Sequence, residues 1–347
     1  MDRLETLAGR VSMSRTSVAN HLKWLSGEDS TSEKRFYRVV PDLDEDALDL
    51  QTTDVFFETP TLNSMKKVED LCVTHPYTKY RARCYGGESE VFVQFRIPKG
   101  TTNTLRKFLQ ASKRAGDFKD YRMLPTENVP SFFSTPRLEY WNTESFTWDF
   151  DWSKWLAAPF QSGTALSHKQ SPSKLDLLTK KDIQILHLLA KGVRRKQRVI
   201  IEELESLDMP TTSQEFSRRL RVLKENIITR YHVYLDIEAF DLYSNVIITA
   251  DCKPDFSKEF LSRLKSNPIP FRTTLKIKDD FMFWYLRLPP SHLSRLLNYL
   301  HENVDNLRLS TVDYEKTQVY GLWSDAYVEE TNSWRIDSDF LLGRDSS

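Results

Sequence analysis

Residues able to do covalent or metal chemistry are spread thinly along this chain, and their spacing excludes more than it offers. The seven histidines are scattered, with no HxxxH and no Cys/His cluster, so no metal site is expected. Cys72, Cys84 and Cys252 have neither CxxC spacing nor an even count, and they read as buried thiols. No Walker loop, GxGxxG or GxSxG occurs, and no cofactor is expected. One cluster sets a histidine beside several cations: His75, with Tyr77, Lys79, Arg81 and Arg83. Its simplest reading is a helix end followed by an edge strand with solvated charges.

What remains is the chemistry of recognition. At 207–225 the chain reads "LDMPTTSQEFSRRLRVLKE", and at 11–25 it reads "VSMSRTSVANHLKWL". Each stretch is a polar break followed by a helix with one apolar face. In the later stretch Phe216, Leu220 and Leu223 form that face. Ser213, Gln214, Ser217, Arg218, Arg221 and Lys224 lie on the rest of the surface, where they could meet base edges and phosphates. Residues 190–231 carry ten Lys or Arg against six Asp or Glu, the local excess that neutralising a phosphate backbone requires. In the earlier stretch Ser14 caps, and Arg15, Thr16, Ser17, Asn20, His21 and Lys23 are expected outside. A solvated helix face is the plainer alternative for either helix alone. The turn, the strand-forming segment after it and the existence of two copies favour a DNA-type fold.

The elements around these helices repeat as well. "DLLTKKDIQILHLLA" (176–190) has helical spacing with Thr179 as cap, "VIIEELESL" (199–207) is a short amphipathic helix, and "MPTT" breaks it. "IITRYHVYLDIEAF" (227–240) has the β-branched and aromatic content of a two-stranded wing. Three helices and a wing make a winged helix-turn-helix. The first copy shows only the second and third helices, because Met1 stands a few residues before them.

After each module comes the order β-α-β-β-α-β. In the first half it runs from "DVFFE" to "DFKDYRML", with a hairpin at Gly86-Gly87. In the second it runs from "SNVIITADC" to "NLRLSTVDY". "VQFRIPKGTTNTLRKFLQ" aligns without a gap on "WYLRLPPSHLSRLLNYLH" at an offset of 191, pairing Arg96 with Arg287 and Pro98 with Pro289. Trp148 and Asp151 match Trp334 and Asp337 at an offset of 186. The chain is an internal duplication with diverged halves. "FMFWYLRL" is apolar on both sides, so the face of its sheet that is turned away from the helices should be buried too.

The expected fold class is α+β, a tandem winged helix-turn-helix plus ferredoxin-like arrangement. The expected boundaries are 1–52 and 176–240 for the helix-turn-helix modules, 53–158 and 241–342 for the ferredoxin-like domains, and 159–175 for a polar linker. Aromatic, acidic segments close each half, "YWNTESFTWDFDWSKW" and "YVEETNSWRIDSDF". They read as added strands packed on a sheet or between the halves, or alternatively as a ligand pocket.

At 347 residues the chain is long enough for two to four domains, and 39% apolar with 28% charged residues is an ordinary globular composition. The formal net charge is zero, which disfavours a protein coated in nucleic acid but leaves room for a local basic patch. No apolar run of bilayer length or secretory leader is evident, so a cytoplasmic protein with no membrane partner is expected.

On "LAGRVSMSRTSVANHLKWL" and on the order of strands and helices, the chain resembles the leucine-responsive regulator/AsnC (Lrp/AsnC) family of bacterial and archaeal transcription factors, in a duplicated, archaeal-looking form. The resemblance covers nearly the whole chain. It implies a regulator that binds double-stranded DNA, pairing through ferredoxin-like (RAM-type) sheets, and a small-molecule effector at the interfaces between them. One polypeptide with two readers would then be an intramolecular pseudo-dimer, able to recognise an asymmetric site and to assemble further. Proteins similar to this family include the siroheme decarboxylases. That branch implies a histidine and basic residues around a tetrapyrrole, for which the His75 cluster is the candidate. A third class is an interaction protein whose helix-turn-helix modules dock other proteins.

Overall fold

The computed structural model describes residues 4–27, 35–87, 89–127, 129, 131–159, 170–235 and 244–341. The first half contains α1 (Leu4–Arg10), α2 (Arg15–Leu25), β1 (Tyr37–Leu43), β2 (Leu50–Glu58), α3 (Leu62–Thr74), β3 (Thr78–Tyr85), β4 (Ser89–Pro98), α4 (Thr102–Ala115) and β5 (Asp120–Met123). Then come the short strands β6 (Phe132–Ser134), β7 (Trp141–Asn142) and β8 (Thr147–Trp148), and α5 (Trp152–Ala157). The second half contains α6 (Lys180–Ala190), α7 (Gln197–Glu205), α8 (Ser213–Asn226), β9 (Ile228–Leu235), β10 (Ser244–Cys252), α9 (Pro254–Ser266), β11 (Arg272–Lys278), β12 (Phe281–Leu288), α10 (Pro290–Asn303) and β13 (Val304–Val319). It ends in β14 (Tyr327–Val328), β15 (Ser333–Trp334) and α11 (Ser338–Leu341).

Both halves are ferredoxin-like, with strand orders β5-β2-β4-β3 and β13-β10-β12-β11. They join edge to edge in one nine-stranded antiparallel sheet because β13 is sixteen residues long and serves both. Its first part pairs with β10, its last part pairs with β3, and Thr311 is shared between them. At the far end β6 pairs with β11. The two outermost strands, β5 and β6, are therefore consecutive in the chain, and the ladder turns back on itself.

Strand alternation explains the layering. In β4, Val91, Val93, Phe95 and Ile97 face α3 and α4; in β12, Met282, Trp284, Leu286 and Leu288 face α9 and α10. The opposite faces meet each other. Phe56, Ala82, Cys84, Phe92, Ile247, Phe283 and Val312 form a core between the sheets, where the Phe92 and Phe283 rings stack at 5.4 Å. The second apolar side of "FMFWYLRL" is thus buried against the other half. Further along the same inner face, β4 continues with Gln94 and Arg96, and β12 with Tyr285 and Arg287, so the apolar core gives way to a polar cavity.

Two expectations need correcting. The segment at 227–240 does not fold into its own wing: β9 pairs along its length with β1 of the first module, Arg38 opposite Tyr234 and Val40 opposite His232. Residues 236–240 lie outside the described residues, as does most of the expected linker. The closing aromatic segments are also not added strands of the sheet. Each makes a two-residue hairpin and a short helix, with Asp151 accepting from Ser153 N at 2.9 Å and Asp337 accepting from Phe340 N at 3.0 Å. The helix-capping bond competes successfully with strand pairing once the hairpin is made.

These segments cross over. Trp148, Trp152 and Trp155 belong to the core of the second half, and Trp155 Nε1 donates to Asn267 O at 2.7 Å. Trp334, Phe340 and Leu341 belong to the core of the first half, where Trp334 Nε1 donates to Leu48 O at 2.6 Å. Each half is finished by the tail of the other. The three cysteines are buried.

Candidate functional site

The second helix-turn-helix is a rigid platform. Thr179 and Asp182 form a capping box on α6, and α8 docks through the buried Phe216 and Leu223. Arg219 on α8 makes an ion pair with the fully buried Asp182, a lock that the apolar pattern of the sequence does not reveal. Ser213, Gln214, Ser217, Arg218, Arg221 and Lys224 are all exposed. Among the described residues Arg218, Arg221 and Lys224 make no salt bridge, and Gln197 reaches Ser213 O and Ser217 Oγ.

The first helix-turn-helix differs. Ser14 caps α2, and its hydroxyl accepts from Ser17 N at 3.1 Å. Arg15, Thr16, Asn20, His21 and Lys23 are exposed, while Ser17 is half-buried. Arg15 lies 3.1 Å from Glu5 in an exposed pair that contributes little. Only Val18 of α2 is buried and no residue of α1 is, so this module stands on a much smaller apolar base.

The His75 cluster is not one site. His75 is buried against Phe95 and Phe108, accepts from Tyr77 N at 3.2 Å, and is pushed by burial down to about 3. Tyr77 donates to Arg335 O at 2.6 Å. Arg81 and Arg83 both bind Glu69, and β3 is no edge strand, since β4 and β13 flank it. Their charges are satisfied within the fold rather than solvated. Lys79 alone reaches the cavity.

That cavity, about 740 Å³, lies between the inner faces of the sheets and the ribbon of β1 and β9. Seven Arg or Lys residues line it against four Asp or Glu. Most of the carboxylates are occupied. Glu45 holds Lys79 at 2.6 Å and Arg96 at 3.1 Å; burial alone would raise its carboxyl, but the two cations hold it far below the usual range. Asp42 takes Arg230 at 2.6 Å and His232 Nδ1 at 2.9 Å. Lys99 neutralises Asp46 at 2.7 Å, and Lys276 reaches across the halves to the buried Asp54 at 2.5 Å.

Three guanidiniums have no such partner among the described residues. Arg38, Arg272 and Arg287 stand 4.6, 4.5 and 5.1 Å from the centroid of the Tyr234 ring. Arg287 Nη2 donates to the Tyr234 hydroxyl at 3.0 Å. Arg272 and Arg287 are directly opposed across β11 and β12, and burial together with that like charge pushes Arg272 down to about 10. Burial would raise the Tyr234 phenol, yet Arg287 and Arg272 bring it below its ordinary value. Sequence reasoning missed this group. Its one signal was the repeat itself, which keeps an arginine at 96 and at 287 in otherwise apolar strands.

Among the described residues no group of three or more His, Cys, Asp or Glu side chains is placed to hold a metal ion, and no helix is long and apolar enough to cross a membrane.

The fold is similar to that of siroheme decarboxylase NirDL. The superposition has a TM-score of 0.52 at 11% identity, covering 93% of this chain and 90% of that one. A second structure of NirDL, in complex with an iron-uroporphyrin III analogue, gives the same score and identity over 95% and 90%. No protein-family model matches the chain, and no curated protein sequence matches it.

Proposed function

We propose that the chain is a DNA-binding regulator of Lrp/AsnC type, with α8 as its principal reader and α2 as a second. The observation that carries this reading is the exposed face of α8. Six polar or basic side chains, three of them cations without a salt bridge among the described residues, project from a helix whose other face is fixed by Phe216, Leu223 and the Arg219 lock. A recognition helix needs that division of labour.

Fluorescence anisotropy on a duplex selected from genomic DNA tests it. Affinity should fall with salt at a log-log slope near −0.9 per phosphate contact, and Arg221→Ala or Lys224→Ala should flatten that slope by roughly 1 if the residue meets a phosphate. Arg218→Ala and Arg15→Ala should instead cost about 1–3 kcal/mol and relax preference at one base pair. No binding at low salt, or variants identical to the parent in affinity, slope and preference, would leave the helices as protein-docking surfaces.

A second reading rests on the cavity: an enzyme acting on a carboxylated tetrapyrrole, as the names of the NirDL structures suggest. Its support is the excess of cations around a cavity in the size range of ligand pockets. A Soret band that shifts on titrating the protein with iron uroporphyrin, together with loss of carboxylate from a bound substrate, is the outcome it requires.

A further inference from the structure

The duplication places two arginines in equivalent positions, Arg96 on β4 and Arg287 on β12, each facing the cavity near the end of its strand. The first is closed: Glu45 binds it together with Lys79. The second is open: Arg287 meets a phenol, Arg272 opposes it across the strands, and Arg38 leans in from the ribbon. Among the described residues Arg38 Nε is buried without a hydrogen-bond partner. Opposed like charges destabilise a sheet, and a buried donor left unpaired costs further stability. A folded chain keeps such an arrangement where an anion completes it.

We propose that each chain carries a single anion site here, for a ligand bearing two or more carboxylates, gripped between Arg38 of the ribbon and the Arg272 and Arg287 pair of the second sheet. The inference deepens the cavity-based reading by naming the groups a ligand must present, and it stands whether or not α8 binds DNA. One carboxylate lies in reach of the planar forks of Arg272 and Arg287, while a second meets Arg38, which the ribbon holds 4.6 Å from the centroid of the Tyr234 ring. The ligand therefore ties the first module's strand to the second half's sheet. The equivalent place at Arg96 stays shut because Glu45 already supplies its carboxylate, so the diverged copies hold one ligand rather than two.

Isothermal titration of the full chain with two probes, citrate and metal-free uroporphyrin III, tests the proposal. At least one should bind with a stoichiometry near one and raise the melting temperature. Saturation by citrate alone identifies a small polycarboxylic acid as the ligand class, and saturation by uroporphyrin alone identifies a tetrapyrrole. Arg272→Gln and Arg287→Gln should each weaken binding about tenfold or more, the cost of one charge-assisted bond. Arg38→Gln, on the ribbon outside the sheet core, should do the same even if the two sheet variants fold poorly. Absence of binding by both probes, a stoichiometry near two, or unchanged affinity in Arg38→Gln overturns it. DNA anisotropy measured without either probe keeps the fate of α8 separate.

Discussion

His75 shows how a residue that looks reactive in sequence can be structural. Burial holds its folded value at about 3, far below an ordinary histidine. A depressed value means that the stabilisation is complete above the unfolded pKa and is lost as pH falls from there toward the folded one. Stability should therefore begin to drop below about pH 6.5, before carboxylates titrate, by at most about 1.4 kcal/mol per pH unit for this one proton. His187 and His292, also depressed mainly by burial, push the same way. Urea midpoints between pH 8 and 5 measure the slope. A His75 ring resonance titrating near 6.5 would refute the assignment. Phe283 makes the complementary case on the inner face. Phe283→Arg puts a charge between the sheets and should destabilise by about 3 kcal/mol or more, as should Trp284→Arg under the helices; soluble variants melting with the parent would place the interface elsewhere. That both sides of β12 are apolar was legible in the sequence, but which side meets the helices and which the other half was not. Nor were the arginines around Tyr234 legible, because a cation on a strand looks the same in sequence whether it faces water or a cavity closed by a distant ribbon.

At the scale of elements, local signals were read well and partners poorly. The capping residues Ser14, Thr179 and Thr212 stand where polar breaks end and helices begin. The pairing of β1 with β9 joins residues almost two hundred positions apart, and neither strand's composition names its mate. The two helix-turn-helix modules also differ in footing, which predicts a difference in local stability. Amide exchange in α2, where Val18 is the one buried residue, should be fast and near local fraying, whereas α8 should exchange close to the global limit. Equal protection in the two helices would contradict this. Where α6 meets the segment after β13, Gly321 leaves no room for a side chain: a methyl there would stand 2.8 Å from His187 Cγ. Gly321→Ala should lower the melting temperature by several degrees, corresponding to about 1–3 kcal/mol.

Across the whole molecule, the duplication and its strand order were visible as matched offsets, while the exchange of tails was not. Trp148 and Trp334 match in sequence because they do the same job, but each does it in the half that did not encode it. Trp334→Ala should accordingly speed amide exchange in α3 and α4 of the first half and cost about 3–5 kcal/mol, while Trp155→Ala should loosen α9 and α10. Hydrogen exchange with mass spectrometry, resolved by peptide, checks both; an effect confined to the mutated half would rule out the crossing.

The crossed tails also set a schedule for synthesis. The core of the first half includes α6, α8 and residues as late as Leu341, so a ribosome must pass Leu341 before that core can close. Domains that fold in order as they emerge gain nothing from such a layout. This protein must hold strands β2 to β5 incomplete until α11 is free, and contacts of such long sequence separation favour slow folding. A gene split between the halves would yield two unfinished chains, which should become soluble only when made together.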